Sequence, residues 1–265
     1  MKLFASHRLL FHIRTTHVFR TQHNSMTNTI VCSLDTVPLN SAVLSTLKKN
    51  YPLIEYATTD KTVTFKTELL SHTQRSCIES DLIFFQSNPH LPLENLCSQL
   101  SNYTPQNDSQ KIMLEYAYKL VELDEDSSGA GLFMFGDAGI GKSHIAIGIS
   151  KLFMQRGLNP QFLVAEKYTF STRIELHPEQ VWVIDDMNSG FHVSSRLFKQ
   201  VVLNAHERGG RVFVTSNKEY DELMNELFVG DSKANKIRYV DRTKGMFKIL
   251  HVTGSSHRQS HAWYK

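Results

Sequence analysis

The stretch Gly136-Asp-Ala-Gly-Ile-Gly-Lys-Ser143 limits what this chain can become more than any other feature. It matches G-x-x-x-x-G-K-[ST] at every fixed position. The apolar run 132–135 precedes it, and a helical pattern at 144–155 follows and stops at Gly157. A loop of this kind turns its backbone N–H groups inward around phosphate oxygens, and the glycines make that bend possible. Lys142 is spaced to reach the β- and γ-phosphates and Ser143 to ligate Mg²⁺. The helix that starts here directs its positive end at the anion. Gly136, Asp137, Ala138, Gly139, Ile140, Gly141, Lys142, Ser143 and His144 are the expected nucleotide contacts, with ATP and Mg²⁺ as the bound species.

A strand, turn and helix in this order call for a parallel sheet, and the sequence downstream supplies its parts. Residues 161–164, 181–184, 212–215 and 247–252 read as strands, 111–123 as a helix, and 194–206 as a helix ended by Gly209 and Gly210. The alternation predicts an α/β fold in three layers, a five-stranded parallel sheet between helices. The run 181–184 is apolar on both faces, as a strand covered on both sides is, and it ends in Asp185-Asp186. Carboxylates at the carboxyl end of a parallel strand stand beside the phosphate loop. Asp185 is expected to hold the Mg²⁺ shell and Asp186 to polarise the attacking water. The strand Arg211-Val-Phe-Val leads in the same way to Thr215-Ser216-Asn217, where the Asn217 amide can orient that water.

Residues 26–100 are expected to form a small mixed α/β region without an assigned function, ahead of a P-loop domain at 101–265. Helical spacing appears at 37–47 and strand-like alternation at 62–65. Pro89, Pro92 and Pro105, with Asn88, Asn102 and Asn107, mark 88–107 as a connector. Cys32, Cys77 and Cys97 include no C-x-x-C pair, which argues against a thiolate metal site or a disulfide framework. At 41% hydrophobic and 21% charged residues the composition is globular, and no apolar run approaches membrane-spanning length. The net charge of +3 comes from residues 1–25, which carry Lys2, Arg8, Arg14 and Arg20 and no acid; without them the balance is −1. The rest of the chain therefore lacks the global basic footprint of a nucleic-acid binder. Two readings of 1–25 stay open. Translation starting at Met26 leaves a cytoplasmic protein, whereas an Arg-rich transit peptide sends it to mitochondria.

Taken together, Gly136–His144, Asp185-Asp186, the run 205–217, Asp241-Arg242 and the closing Ser256-His257-Arg258 resemble the DnaC/IstB-like branch of AAA+ ATPases, relatives of the initiator DnaA. The resemblance spans roughly 101–258. It implies an ATPase that loads a replicative helicase or assists a transposase, working as a homo-oligomer and switching between partner- and DNA-bound states. It also implies that Arg242 acts as a finger on a neighbouring subunit's ATP, and that Arg258 senses nucleotide within its own subunit. The chain departs from the pattern at three places. Asp186 stands where glutamate is usual. Thr243 replaces an apolar residue after Asp241-Arg242. The segment 167–182 is shorter than the helical insertion that helps contact single-stranded DNA, which argues against direct DNA binding. Asp186 and the short segment also fit an adaptor that binds nucleotide with negligible hydrolysis.

Overall fold

The structure, a computed structural model, describes residues 21–24, 29–33, 39–122, 129–168, 180–188 and 192–257. The first part of the chain builds a four-stranded antiparallel sheet from β1 (Thr21–Asn24), β2 (Thr29–Ser33), β3 (Glu55–Thr58) and β4 (Thr62–Lys66), in the order β1-β2-β4-β3. Burial alternates along β2 and β4, so Ile30, Cys32, Val63 and Phe65 all point to one face. One helix lies between β2 and β3 in the chain and another follows β4. Helix α1 (Ser41–Asn50) is capped by the Asn40 side chain and buries Val43, Leu44 and Leu47. Helix α2 (His72–Ser87) opens with a reciprocal Ser71–Gln74 capping box and buries Ile78, Leu82, Phe84 and Phe85. The expected connector at 88–107 runs through two short 3₁₀ turns, Leu93–Asn95 and Leu100–Asn102.

After α3 (Asp108–Glu122), strands and helices alternate as the sequence predicts. The strands are β5 (Gly131–Gly136), β6 (Gln161–Val164), β7 (Val181–Asp185), β8 (Arg211–Ser216) and β9 (Phe247–Val252). They pair in parallel in the order β6-β7-β8-β5-β9. One face of the sheet takes α3 and α4 (Lys142–Gln155), and the other takes α5 (His192–Phe198), α6 (Asn204–Arg208), α7 (Tyr220–Leu227) and α8 (Lys233–Met246). Alternation along the strands assigns each residue to a layer: Val181 and Val183 pack with the α4 side, Trp182 and Ile184 with the opposite side. The helix expected at 194–206 runs on both sides of that span, with a π-helical segment at Lys199–Leu203 between α5 and α6.

The N-terminal region is not packed loosely beside this sheet. Its apolar residues share one buried cluster with α4 and β5. At the centre of the junction lies a fully buried ion pair, Lys151 Nζ to Asp81 Oδ1 at 2.6 Å, with both side chains at 0% exposure. Among the described residues no helix is long and apolar enough to cross a membrane.

Candidate functional site

The phosphate loop is the turn between β5 and α4. Its glycines lie in the left-handed region where a side chain is strained, Gly139 at φ 77° and Gly141 at φ 93°. Space forbids a side chain there as well. A Cβ on Gly139 would sit 2.0 Å from Ser256 Oγ, and one on Gly141 2.3 Å from the Tyr103 ring. Lys142, the first residue of α4, lays its ammonium across the loop. It donates to the carbonyls of Gly136 (2.9 Å) and Asp137 (2.6 Å) and to Asn217 Oδ1 (3.0 Å). The ends of β5 and β8 therefore meet at one cation, which reaches a residue 75 positions along the chain.

Ser143 follows Lys142 and lies beside the Asp185 carboxylate at the end of β7, near enough to favour its charged form. Thr215 donates to the same carboxylate at 2.7 Å and accepts the Asp186 backbone N–H at 3.0 Å, so one hydroxyl organises both acids. Sequence reading missed Thr215, although it stands two residues before the expected Asn217. Burial raises the Asp185 carboxyl above its ordinary range, and the Ser143 and Thr215 hydroxyls only partly offset this. A hydroxyl and a desolvated acid side by side are the donor set that suits a hard divalent cation, so these residues fit Mg²⁺. Asp186 is exposed and has a left-handed backbone, φ 54°, the one non-glycine residue in that region among those described. The left-handed backbone turns the chain out of the strand line directly after Asp185.

The mouth beside the loop is lined by Phe135, Gly136, Asp137, Ala138, Asn217, Glu219 and His251. Phe135 and His251 stack there with ring centroids 4.7 Å apart. Neither His251 nor Glu219 carries a motif, and no sequence signal marked them. Asp137 accepts the Gly254 N–H at 3.1 Å, which ties the loop to the chain after β9.

Two of the expected residues have side chains outside this mouth. The His144 ring turns away from the loop, its Nε2 meeting Gln99 O at 2.9 Å and Asn102 Oδ1 at 2.8 Å. What it can offer a phosphate is its backbone N–H. Burial lowers its pKa and favours the neutral ring. Arg242 is on α8, one turn before the helix ends, and pairs with Glu207 Oε1 at 3.3 Å. The unusual Thr243 beside it is fully buried, and its hydroxyl meets the Tyr220 hydroxyl at 2.5 Å. Arg258 and most of the short segment 167–182 lie outside the described residues.

No protein-family model matches this sequence, and no curated protein matches it at a significant level. Solved structures do share its fold. DnaI is similar with a TM-score of 0.53 and 20% identity, covering 63% of this chain and 94% of that one. A primosome component from Streptococcus pyogenes serotype M3 is similar with a TM-score of 0.52 and 20% identity, covering 71% of this chain and 100% of that one. Identity at this level speaks to the fold alone, and the fold is that of DnaI and the streptococcal primosome component, a parallel sheet between helical layers.

Proposed function

We propose that this chain binds ATP with Mg²⁺ in the Gly136–Ser143 cradle and hydrolyses it as an accessory protein of DNA replication, of the helicase-loader kind. One observation carries the reading: Lys142 bonds Asn217 while its neighbour Ser143 lies beside Asp185, so ammonium, hydroxyl, acid and amide converge at one glycine loop. The convergent N–H groups bind the phosphates, Lys142 neutralises their outer oxygens, and Asp186 with Asn217 positions water for in-line attack. Mg²⁺, held by Ser143 with Asp185 behind it, supplies further charge neutralisation when bound. The fold likeness to a primosome component supports the replication setting.

Lys142→Ala tests the first half. The variant loses charge-assisted bonds worth about 1.5–3 kcal/mol each, so calorimetry is expected to show nucleotide affinity falling about a hundredfold or more. Unchanged affinity would remove the P-loop from the account.

Asp186 supports a second reading, the nucleotide-dependent adaptor, because its carboxylate is one methylene short of glutamate and exposed. Asp186→Asn separates the two. If the chain is an ATPase, the variant keeps its nucleotide affinity and loses about 10²–10⁴-fold in steady-state turnover. Wild-type turnover already at background identifies the adaptor, and undiminished turnover in the variant moves the catalytic acid elsewhere.

A further inference from the structure

Two peptide groups of the phosphate cradle are oriented from outside the loop. The His257 amide donates to the Gly139 carbonyl at 2.9 Å, and the Tyr103 hydroxyl donates to the Ile140 carbonyl at 2.7 Å. A trans peptide is planar, with its C=O and N–H pointing in opposite directions. Drawing the Ile140 carbonyl outward therefore turns the Gly141 N–H inward. The His257 contact does the same for the Ile140 N–H. Positive φ at Gly139 and Gly141 alternates with ordinary φ at Ile140, the backbone pattern in which successive N–H groups converge on an anion. Tyr103 is itself buried, and its ring fills the space beside Gly141 that a Cβ would need, so ring and loop fix one another.

Tyr103 belongs to neither the sheet nor the loop. It ends a strap, residues 96–103, that leaves the N-terminal region and crosses the first turn of α4. Gln99 anchors the strap on one side, donating through Nε2 to Asp81 Oδ1 at 2.5 Å. Asn102 braces it internally, with Oδ1 accepting the Gln99 N–H at 3.0 Å and Nδ2 donating to Cys97 O at 2.8 Å. His144 fastens it to α4. Both neighbours of its Nε2 are acceptor oxygens, which places the ring proton on that nitrogen. A chain of contacts, buried at both ends, thus runs from Asp81 on α2 to the carbonyl before Gly141.

We propose that Tyr103 is a positioning residue for the phosphate cradle, and that the 96–103 strap sets nucleotide affinity from the N-terminal region. The inference rests on the nucleotide-binding reading above. Linkage makes the device reciprocal: whatever displaces the strap weakens nucleotide binding, and bound nucleotide resists that displacement by the same factor.

Tyr103→Phe is the sharpest test, because it keeps the ring against Gly141 and removes only the hydroxyl. Binding of a non-hydrolysable ATP analogue with Mg²⁺, measured by calorimetry on the full chain, is expected to weaken about tenfold, the cost of one misdirected charge-assisted N–H. The unfolding temperature without nucleotide is expected to stay near that of the unaltered protein. Asn102→Ala loosens the strap by a different bond and is expected to weaken binding in the same direction. Combined with Tyr103→Phe, it is expected to add less than its separate effect, since both act through one carbonyl. A shifted unfolding temperature with an unchanged Kd makes Tyr103 a packing residue and overturns the inference, and strictly additive effects overturn the strap as a unit. Lys142→Ala in the same titration separates the levels. If that variant binds like the unaltered protein, the cradle reading itself fails. If it loses the nucleotide while Tyr103→Phe does not, only the strap is refuted.

Discussion

Lys151→Met is expected to destabilise the whole chain by about 3–5 kcal/mol, the cost of leaving one partner of a buried ion pair uncompensated. At this chain length that lowers the unfolding temperature by about 6–20 °C. Methionine fills much of the space of the lysine stem, so the deficit measures charge rather than a cavity. The Asp81 carboxylate is left with the Tyr51 hydroxyl at 2.7 Å and the Gln99 amide at 2.5 Å, and with no cation. The Leu96 carbonyl, which accepts from Lys151 at 2.6 Å, loses that donor. The pH dependence follows from the same residue. Burial already pushes the Asp81 carboxyl above its ordinary range against the pull of Lys151, and removing the ammonium pushes it further. A carboxyl whose folded pKa is raised contributes stability below its unfolded pKa and loses it as pH rises through the folded value. The deficit of Lys151→Met relative to the unaltered protein is therefore expected to be larger at pH 7 than near pH 4. The double variant Lys151→Met/Asp81→Leu is expected to regain a large part of the loss, because two apolar side chains replace an unpaired charge. Urea unfolding at both pH values checks each step. If Lys151→Met stays within about 1 kcal/mol of the unaltered protein, the ion pair does not hold the two regions together.

The parts of the fold that the sequence displays are those whose physics is local. A glycine loop between an apolar strand and a helix is readable because each residue's role follows from its neighbours, and the five strands are readable as short apolar runs. Phe247–Val252 is the same in sequence and structure, and β7 extends one residue past the expected run to include Asp185. Helix α7 shows a legible apolar stripe, Tyr220, Leu223, Met224 and Leu227, which the expected elements omit, whereas α8 shows none. Only Thr243 and Met246 of α8 are buried, so its sequence shows no apolar stripe. In α2 the buried face includes Ser80 and Asp81, which interrupts the helical pattern with the very residue that matters. The site divides the same way. Lys142, Ser143, Asp185 and Asn217 meet where their motifs imply. Tyr103, 37 residues from its partner carbonyl, could not be found without coordinates. His144 shows the converse: position in a motif says where the backbone goes, while its ring follows the nearest acceptors.

Arg242→Ala is expected to leave ATP binding nearly unchanged and to lower turnover by about 10³–10⁵-fold, the contribution of an arginine that meets transition-state charge. The topology gives the reason for expecting this in assemblies rather than within one chain. Helix α8 runs directly into β9, whose Phe247 lies level with Gly131 at the start of β5, while the phosphate loop begins after Gly136 at its far end. Six residues of parallel strand span about 17–20 Å. Arg242, one turn above the lower edge, is thus held away from its own cradle and turned toward Glu207 on the outer helical layer. Its pairing with Glu207 is a half-exposed surface contact, worth about 0–1 kcal/mol, and does not prevent exchange for a phosphate on another subunit. The buried Tyr220–Thr243 hydroxyl pair fixes the turn of α8 that carries Arg242, so the guanidinium is presented from a rigid base. Mixing supplies the decisive measurement. Arg242→Ala retains a working cradle, and Lys142→Ala retains its arginine, so mixed assemblies contain junctions with one of each. Turnover in the mixture is expected to rise above either variant alone and to peak at an intermediate ratio. If no ratio restores turnover while Arg242→Ala alone is inactive, the arginine acts within its own subunit. If Arg242→Ala hydrolyses ATP at the unaltered rate, it has no part in the chemistry and the oligomeric mechanism fails with it.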